Sequence, residues 1–235
     1  MKKIASLSLF LLILIISLTS TNSFVKINAI VLKRILENNE FYVIDTREMS
    51  TSVLGYISNT VIIPRSNFTS WFSFVVPENA KLVVITDREN YIQTLVEIES
   101  FGKYKLYGYC FYDDVFRFPY FNIEKIEYDP NTKESLSNII PNKGSLIIDV
   151  REISEYKETG VIEEAQLIPF STFIKNYVNI PNGRRIYVLC KKGLRAVIAA
   201  TFAQRAGLTN KFIILYRGIE KVIEEGYPLV PYKEK

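Results

Sequence analysis

Histidine is absent from the chain. That gap removes Ser-His-Asp and Cys-His catalysis and every zinc site that needs an imidazole ligand. The two cysteines, Cys110 and Cys190, are too few for a four-thiolate zinc site, so no metal and no cofactor is expected. An excess of one charge is lacking too. Twenty-nine Lys+Arg face 25 Asp+Glu, a net of +4 that falls to +2 once Lys2 and Lys3 are set aside, which gives no argument for nucleic acid. What is present suits an ordinary globular body: of 235 residues, 48% are hydrophobic, 13% aromatic and 23% charged, enough apolar material for a core and too little charge for a disordered chain.

The one long apolar run is at the N-terminus. Lys2 and Lys3 precede Ile4 to Leu18, whose only polar members are Ser6, Ser8 and Ser17, and small or polar residues follow from Thr19 to Ser23. This is the layout of a secretory signal peptide over residues 1–23. It falls short of the ~20 apolar residues of a spanning helix. Cleavage would place the body in a secreted, periplasmic or secretory-pathway compartment and away from the membrane; without cleavage the same segment is an anchor. In an oxidising space, Cys110 and Cys190 could pair.

The body repeats itself. Phe41-Tyr42-Val43-Ile44-Asp45-Thr46-Arg47-Glu48 is echoed by Ser145-Leu146-Ile147-Ile148-Asp149-Val150-Arg151-Glu152, an offset of 104 from Asp45 to Asp149. Ile63-Pro64 with Ile168-Pro169, Pro77 with Pro181, and Phe101-Gly102 with Ala206-Gly207 keep nearly the same step. Two units of ~100 residues are therefore expected, 24–120 and 121–235. In each, short β-branched runs (41–44 and 82–85; 145–148 and 186–189) read as buried parallel strands. Leu194, Val197, Ile198, Thr201 and Phe202 have the spacing of a helix packed on a sheet, stopped by Gly207. The class is α/β, each unit a parallel sheet flanked by helices.

The chemistry-bearing stretch is Ile186 to Arg195. A buried strand ends at Cys190, a short loop with Gly193 follows, and a helix begins. Ligands of such sheets bind at the carboxyl ends of strands, where the next helix offers unpaired N–H groups to an anion. Helix dipole, loop amides and the cations Lys191, Lys192 and Arg195 all favour a thiolate at Cys190. Between Arg184 and Arg195 there are five bases and no acid, which predicts a strongly positive local field.

The strand end Asp149-Val150-Arg151-Glu152, the Gly160…Ile168-Pro169 segment and the loop Cys190-Lys191-Lys192-Gly193-Leu194-Arg195 resemble a rhodanese domain, and the likeness spans both repeats. It implies a tandem thiosulfate sulfurtransferase with two rhodanese-like domains. Sulfane sulfur from thiosulfate or a related small anionic donor would pass through a persulfide on Cys190 to a thiol or cyanide-like acceptor. Residues Lys191 to Arg195 would bind the anion. Asp149 and Arg151, usual strand-end residues of the family, read as structural, an ion pair bracing the loop, ahead of a catalytic role. Arg217-Gly218 stands where the family often has a glycine pair; Arg217 reads either as charge at the pocket mouth or as a solvated arginine.

The first unit has Thr86 or Asp87 where Cys190 falls, and lacks the loop's glycine and arginine, so it reads as an inactive copy. Two rival readings remain. A phosphatase of the same fold would carry Cys-x5-Arg, one residue longer than the Cys-x4-Arg found here. A binding module would lock Cys190 to Cys110 as a disulfide.

Overall fold

The β-branched runs build two parallel sheets. The computed structural model describes residues 24–38, 40–139 and 144–234; the segment read as a signal peptide lies outside them. The first unit runs α1 (Ala29–Glu37), β1 (Tyr42–Asp45), β2 (Tyr56–Ile57), β3 (Val61–Ile62), α2 (Phe68–Val75), β4 (Lys81–Thr86), α3 (Tyr91–Ser100) and β5 (Lys105–Phe111). After β6 (Ile123–Glu124) come β7 (Glu127–Asp129), α4 (Thr132–Ile139), β8 (Ser145–Asp149), α5 (Ile153–Thr159) and β9 (Gln166–Leu167). The chain ends with β10 (Arg185–Leu189), α6 (Leu194–Arg205), β11 (Lys211–Leu215) and α7 (Gly218–Glu224). Among the described residues no helix is long and apolar enough to cross a membrane.

The sheet orders are β3-β1-β4-β5 and β7-β11-β10-β8-β9, all neighbours parallel. Their registers carry the repeat: Asp45 pairs with Ile85 as Asp149 pairs with Leu189, so the residue that follows each of these partners, Thr86 or Cys190, occupies the same place. Of the two alternatives left by the sequence, Thr86 is the counterpart. Residues 121–124 stay with the first unit, past the expected seam at 120/121. β6 pairs antiparallel with β2, and Phe121 and Ile123 pack into the core beneath α1. The second sheet begins only with β7.

Helix α6 departs from the one-faced packing expected of it. Every residue from Arg195 to Ala203 is buried. A helix buried all round lies in a core rather than on a surface, and here it is wedged between the two units, packing on β3 of the first as well as on its own sheet. Ala196, Ala199, Ala200 and Ala203 keep it slim enough for that close approach. The contact also carries polar pairs. The Ile62 N–H donates to Thr201 Oγ1 at 3.2 Å, the Tyr56 hydroxyl to Gln204 Oε1 at 2.9 Å, and Arg205 to the carbonyls of Phe41 and Asn59 at 2.7 and 3.0 Å.

Candidate active site

Strand β10 delivers Cys190 to the carboxyl edge of the second sheet, and the chain must then reverse into α6 within three residues. Gly193 makes that turn, at φ +107°, a conformation open to glycine and strained for other residues. The turn aims the Gly193 N–H at Cys190 Sγ, 3.1 Å away. The sulfur thus sits at the head of a twelve-residue helix, where free amides and the dipole favour negative charge. Cys190 is only 1% exposed, whereas Lys191 and Lys192 stand in solvent. Leu194, the first helical residue, is half-buried against the shared core.

Arg195 is put to a different use from the anion contact expected of it. Its Nη1 and Nη2 donate to Glu155 Oε2 and Oε1 at 2.5 and 2.7 Å, and its guanidinium lies over the Trp71 ring of the first unit, 5.1 Å from the centroid. Burial works against this charge, but the Glu155 hydrogen bonds, then Cys190, outweigh it and raise the Arg195 pKa above its ordinary value. Burial likewise opposes Glu155 ionisation, and the Arg195 hydrogen bonds overcome it, holding the carboxyl below its usual range. The acid-free field read from the sequence is corrected by these contacts: Glu155 faces Arg195, and Glu220 stands 3.8 Å from Lys192 Nζ.

Asp149 and Arg151 do form a buried, two-pronged ion pair. It braces a neighbouring segment and not the cysteine loop: Arg151 reaches Thr159 Oγ1 and the Gly160 carbonyl at 2.6 and 2.9 Å, tying β8 to the end of α5. The cysteine loop is held instead by α7. The Ile219 N–H donates to the Cys190 carbonyl at 2.8 Å, and a Cβ on Gly218 would come within 2.0 Å of that same oxygen. Arg217, exposed and paired with Glu224 at 2.7 Å, is a solvated arginine.

In the first unit, Arg88 pairs with Asp114, which also binds Lys26, and its guanidinium covers Phe111. No glycine turn follows Thr86. Both cysteines are free thiols, in separate core clusters: Cys190 in the one shared by the two units, Cys110 beneath α1. Burial, with Asp45 and Asp114 behind it, pushes the Cys110 thiol up to about 12, the mark of an inert thiol. Sequence reasoning missed Glu155 and Trp71, and it named Gly218 without its contact to the Cys190 carbonyl. Only Glu155 left a local sign, as the third residue after Glu152 in a capping box.

The family model described as Rhodanese-like domain matches residues 132–225, so the second unit carries a rhodanese-like domain. Comparison with curated proteins gave no match. Among solved structures, the chain is similar to a thiosulfate sulfurtransferase from Pseudomonas aeruginosa, at 16% identity and a TM-score of 0.40, over 89% of this chain and 44% of that one. It therefore spans less than half of that protein's length. A rhodanese-related protein from Thermoplasma volcanium is 30% identical over 45% of this chain and 100% of its own, with a TM-score of 0.39. A Rhodopseudomonas palustris protein titled a possible tyrosine phosphatase is 18% identical over 45% of this chain and 85% of its own, at 0.39.

Proposed function

We propose that the chain, through the rhodanese-like domain of residues 132–225, is a sulfurtransferase that carries sulfane sulfur on Cys190. The donor would be thiosulfate or a related small anion, and the acceptor a thiol or cyanide-like nucleophile. One observation carries the reading: the Cys190 sulfur rests on the Gly193 N–H at the head of α6, with the exposed side chains of Lys191 and Lys192 beside it. Sulfur transfer asks for little more. The thiolate attacks the outer sulfur of the donor, the donor's S–S bond breaks, and sulfite leaves with the electron pair; attack of the acceptor on the persulfide then returns the thiolate. No proton needs to be shuttled by an imidazole, so the missing histidine costs nothing. Amides and lysines stabilise the negative charge as it moves.

Arg195 acts in this scheme by fixing the loop through Glu155 and Trp71, while the amides of residues 191–194 and the two lysines meet the anion. The first unit is read as an inactive copy, because Thr86 offers no nucleophile at the matching place and the surrounding charges are already paired. The apolar run of residues 4–18 supports export as the route to the site of action.

The test is a thiosulfate-to-cyanide assay beside mass measurement of the protein. Thiosulfate should add one sulfur atom, Cys190→Ser should abolish both adduct and turnover, and Cys110→Ser should keep both. Turnover that survives Cys190→Ser ends the proposal.

A further inference from the structure

Tyr128 stands on β7, the edge strand beside β11. The register sets it next to Ile214, and Ile214 next to Val188, so the three side chains form one row on the face that α6 covers. Cys190 lies two residues beyond Val188, hence on the same face, since side chains of a strand alternate. Tyr128 and Cys190 both pack into the shared core. Ile214 links them on its other flank too: a Cβ on Gly193, the residue whose N–H holds the sulfur, would lie 4.0 Å from Ile214 Cγ2.

The Tyr128 ring meets Tyr216 edge-on, with centroids 6.3 Å apart and planes at 86°. Tyr128 as a whole is half-buried, and its hydroxyl has no hydrogen-bond partner among the described residues. A hydroxyl that no acceptor among them engages is available to donate to a group arriving beside it. Burial, followed by Cys190 and then Tyr216, pushes this phenol up to about 12. It therefore keeps its proton at neutral pH and remains a donor.

We propose that Tyr128 is a catalytic residue whose hydroxyl donates a hydrogen bond to the terminal sulfur of the Cys190 persulfide. The inference rests on the sulfurtransferase reading and deepens it. In the loading step the Cys190 sulfur bonds to the outer sulfur of thiosulfate, the donor's S–S bond breaks, and its electron pair departs with sulfite. Negative charge then rests on the terminal sulfur, one atom further from the Gly193 amide than the thiolate was. A fixed donor on β7, across β11 from the cysteine's strand, serves that charge, and Tyr128 retains its proton throughout.

The test is the loading equilibrium of the full chain at set ratios of thiosulfate to sulfite, read by mass spectrometry as the fraction carrying one added sulfur. An equilibrium reports the relative stability of persulfide and thiolate and is blind to how fast the loop moves. Hydrogen bonds to charged groups predict that Tyr128→Phe lowers the loading constant roughly tenfold or more. Tyr128→Leu, which removes the hydroxyl by another route, should shift it by a similar factor, and melting temperatures on the same samples separate loss of fold from loss of the bond. Wild-type and Tyr128→Phe proteins that load equally overturn the role of Tyr128 alone. A wild-type protein that takes up no sulfur overturns the sulfurtransferase reading and this inference with it.

Discussion

Replacing Glu155 by glutamine keeps the shape of the side chain and removes the charge opposite Arg195. Breaking a fully buried ion pair by deleting one partner costs ~3–5 kcal/mol, whereas exposed pairs contribute ~0.2–1 kcal/mol. The side chains here are 8% and 21% exposed, and Trp71 still lies under the guanidinium, so the cost lies between those limits, about 2 kcal/mol. For a chain of this size that is a fall of about 4–8 °C in melting temperature. Its pH dependence has a definite sign. The folded Glu155 has a lowered pKa, so its contribution is present above the unfolded value of ~4.3 and is lost as pH falls through the lower folded value. Calorimetry of wild type and Glu155→Gln should therefore show a constant gap from about pH 8 to pH 5, closing below about pH 4. A gap under about 0.5 kcal/mol at neutral pH, or one that is undiminished in acid, would refute the claim that this pair fixes Arg195.

Two further substitutions probe the loop and its lost copy. Gly218→Ala forces a Cβ onto the Cys190 carbonyl at a left-handed position, so the loop or α7 must shift; kcat/KM for thiosulfate should fall at least about tenfold, and unchanged kinetics would show that α7 has no part in holding the cysteine. Thr86→Cys, made in a Cys190→Ser background, should restore no turnover, because no glycine turn follows it and Arg88 is committed to Asp114; robust transfer would mean that the first unit's loop is already competent.

The strands were legible because parallel strands are buried on both faces and read as unbroken β-branched runs. Cys190, Gly193 and the start of α6 were legible because strand, turn and helix are contiguous. Charge was the feature most misread. Counting bases from Arg184 to Arg195 measures proximity along the chain, and the acid that answers Arg195 lies forty residues earlier on α5. Trp71 was invisible for the same reason, since it reaches the site from the other unit. The double-sided burial of α6 left only a faint trace, its run of alanines, because hydrophobic spacing reports the face turned to a helix's own sheet and not a second sheet arriving from elsewhere.

That second sheet gives the first unit a structural role at α6. Its nucleophile position holds Thr86, and the charges at that edge are satisfied among Lys26, Arg88 and Asp114. Its opposite contribution is to α6. The Ile62 amide, the Tyr56 hydroxyl, the carbonyls of Phe41 and Asn59 and the Trp71 ring all engage residues between Arg195 and Arg205. The first turn of α6 bears the amides that face the Cys190 loop, and its last turn is anchored to the first unit. A rigid helix transmits a constraint along its length, so fixing both ends fixes where those amides point. Preorganised amides stabilise developing charge without reorganising during the reaction. The contacts that keep the first unit docked on α6 are therefore contacts that aim the amides facing Cys190.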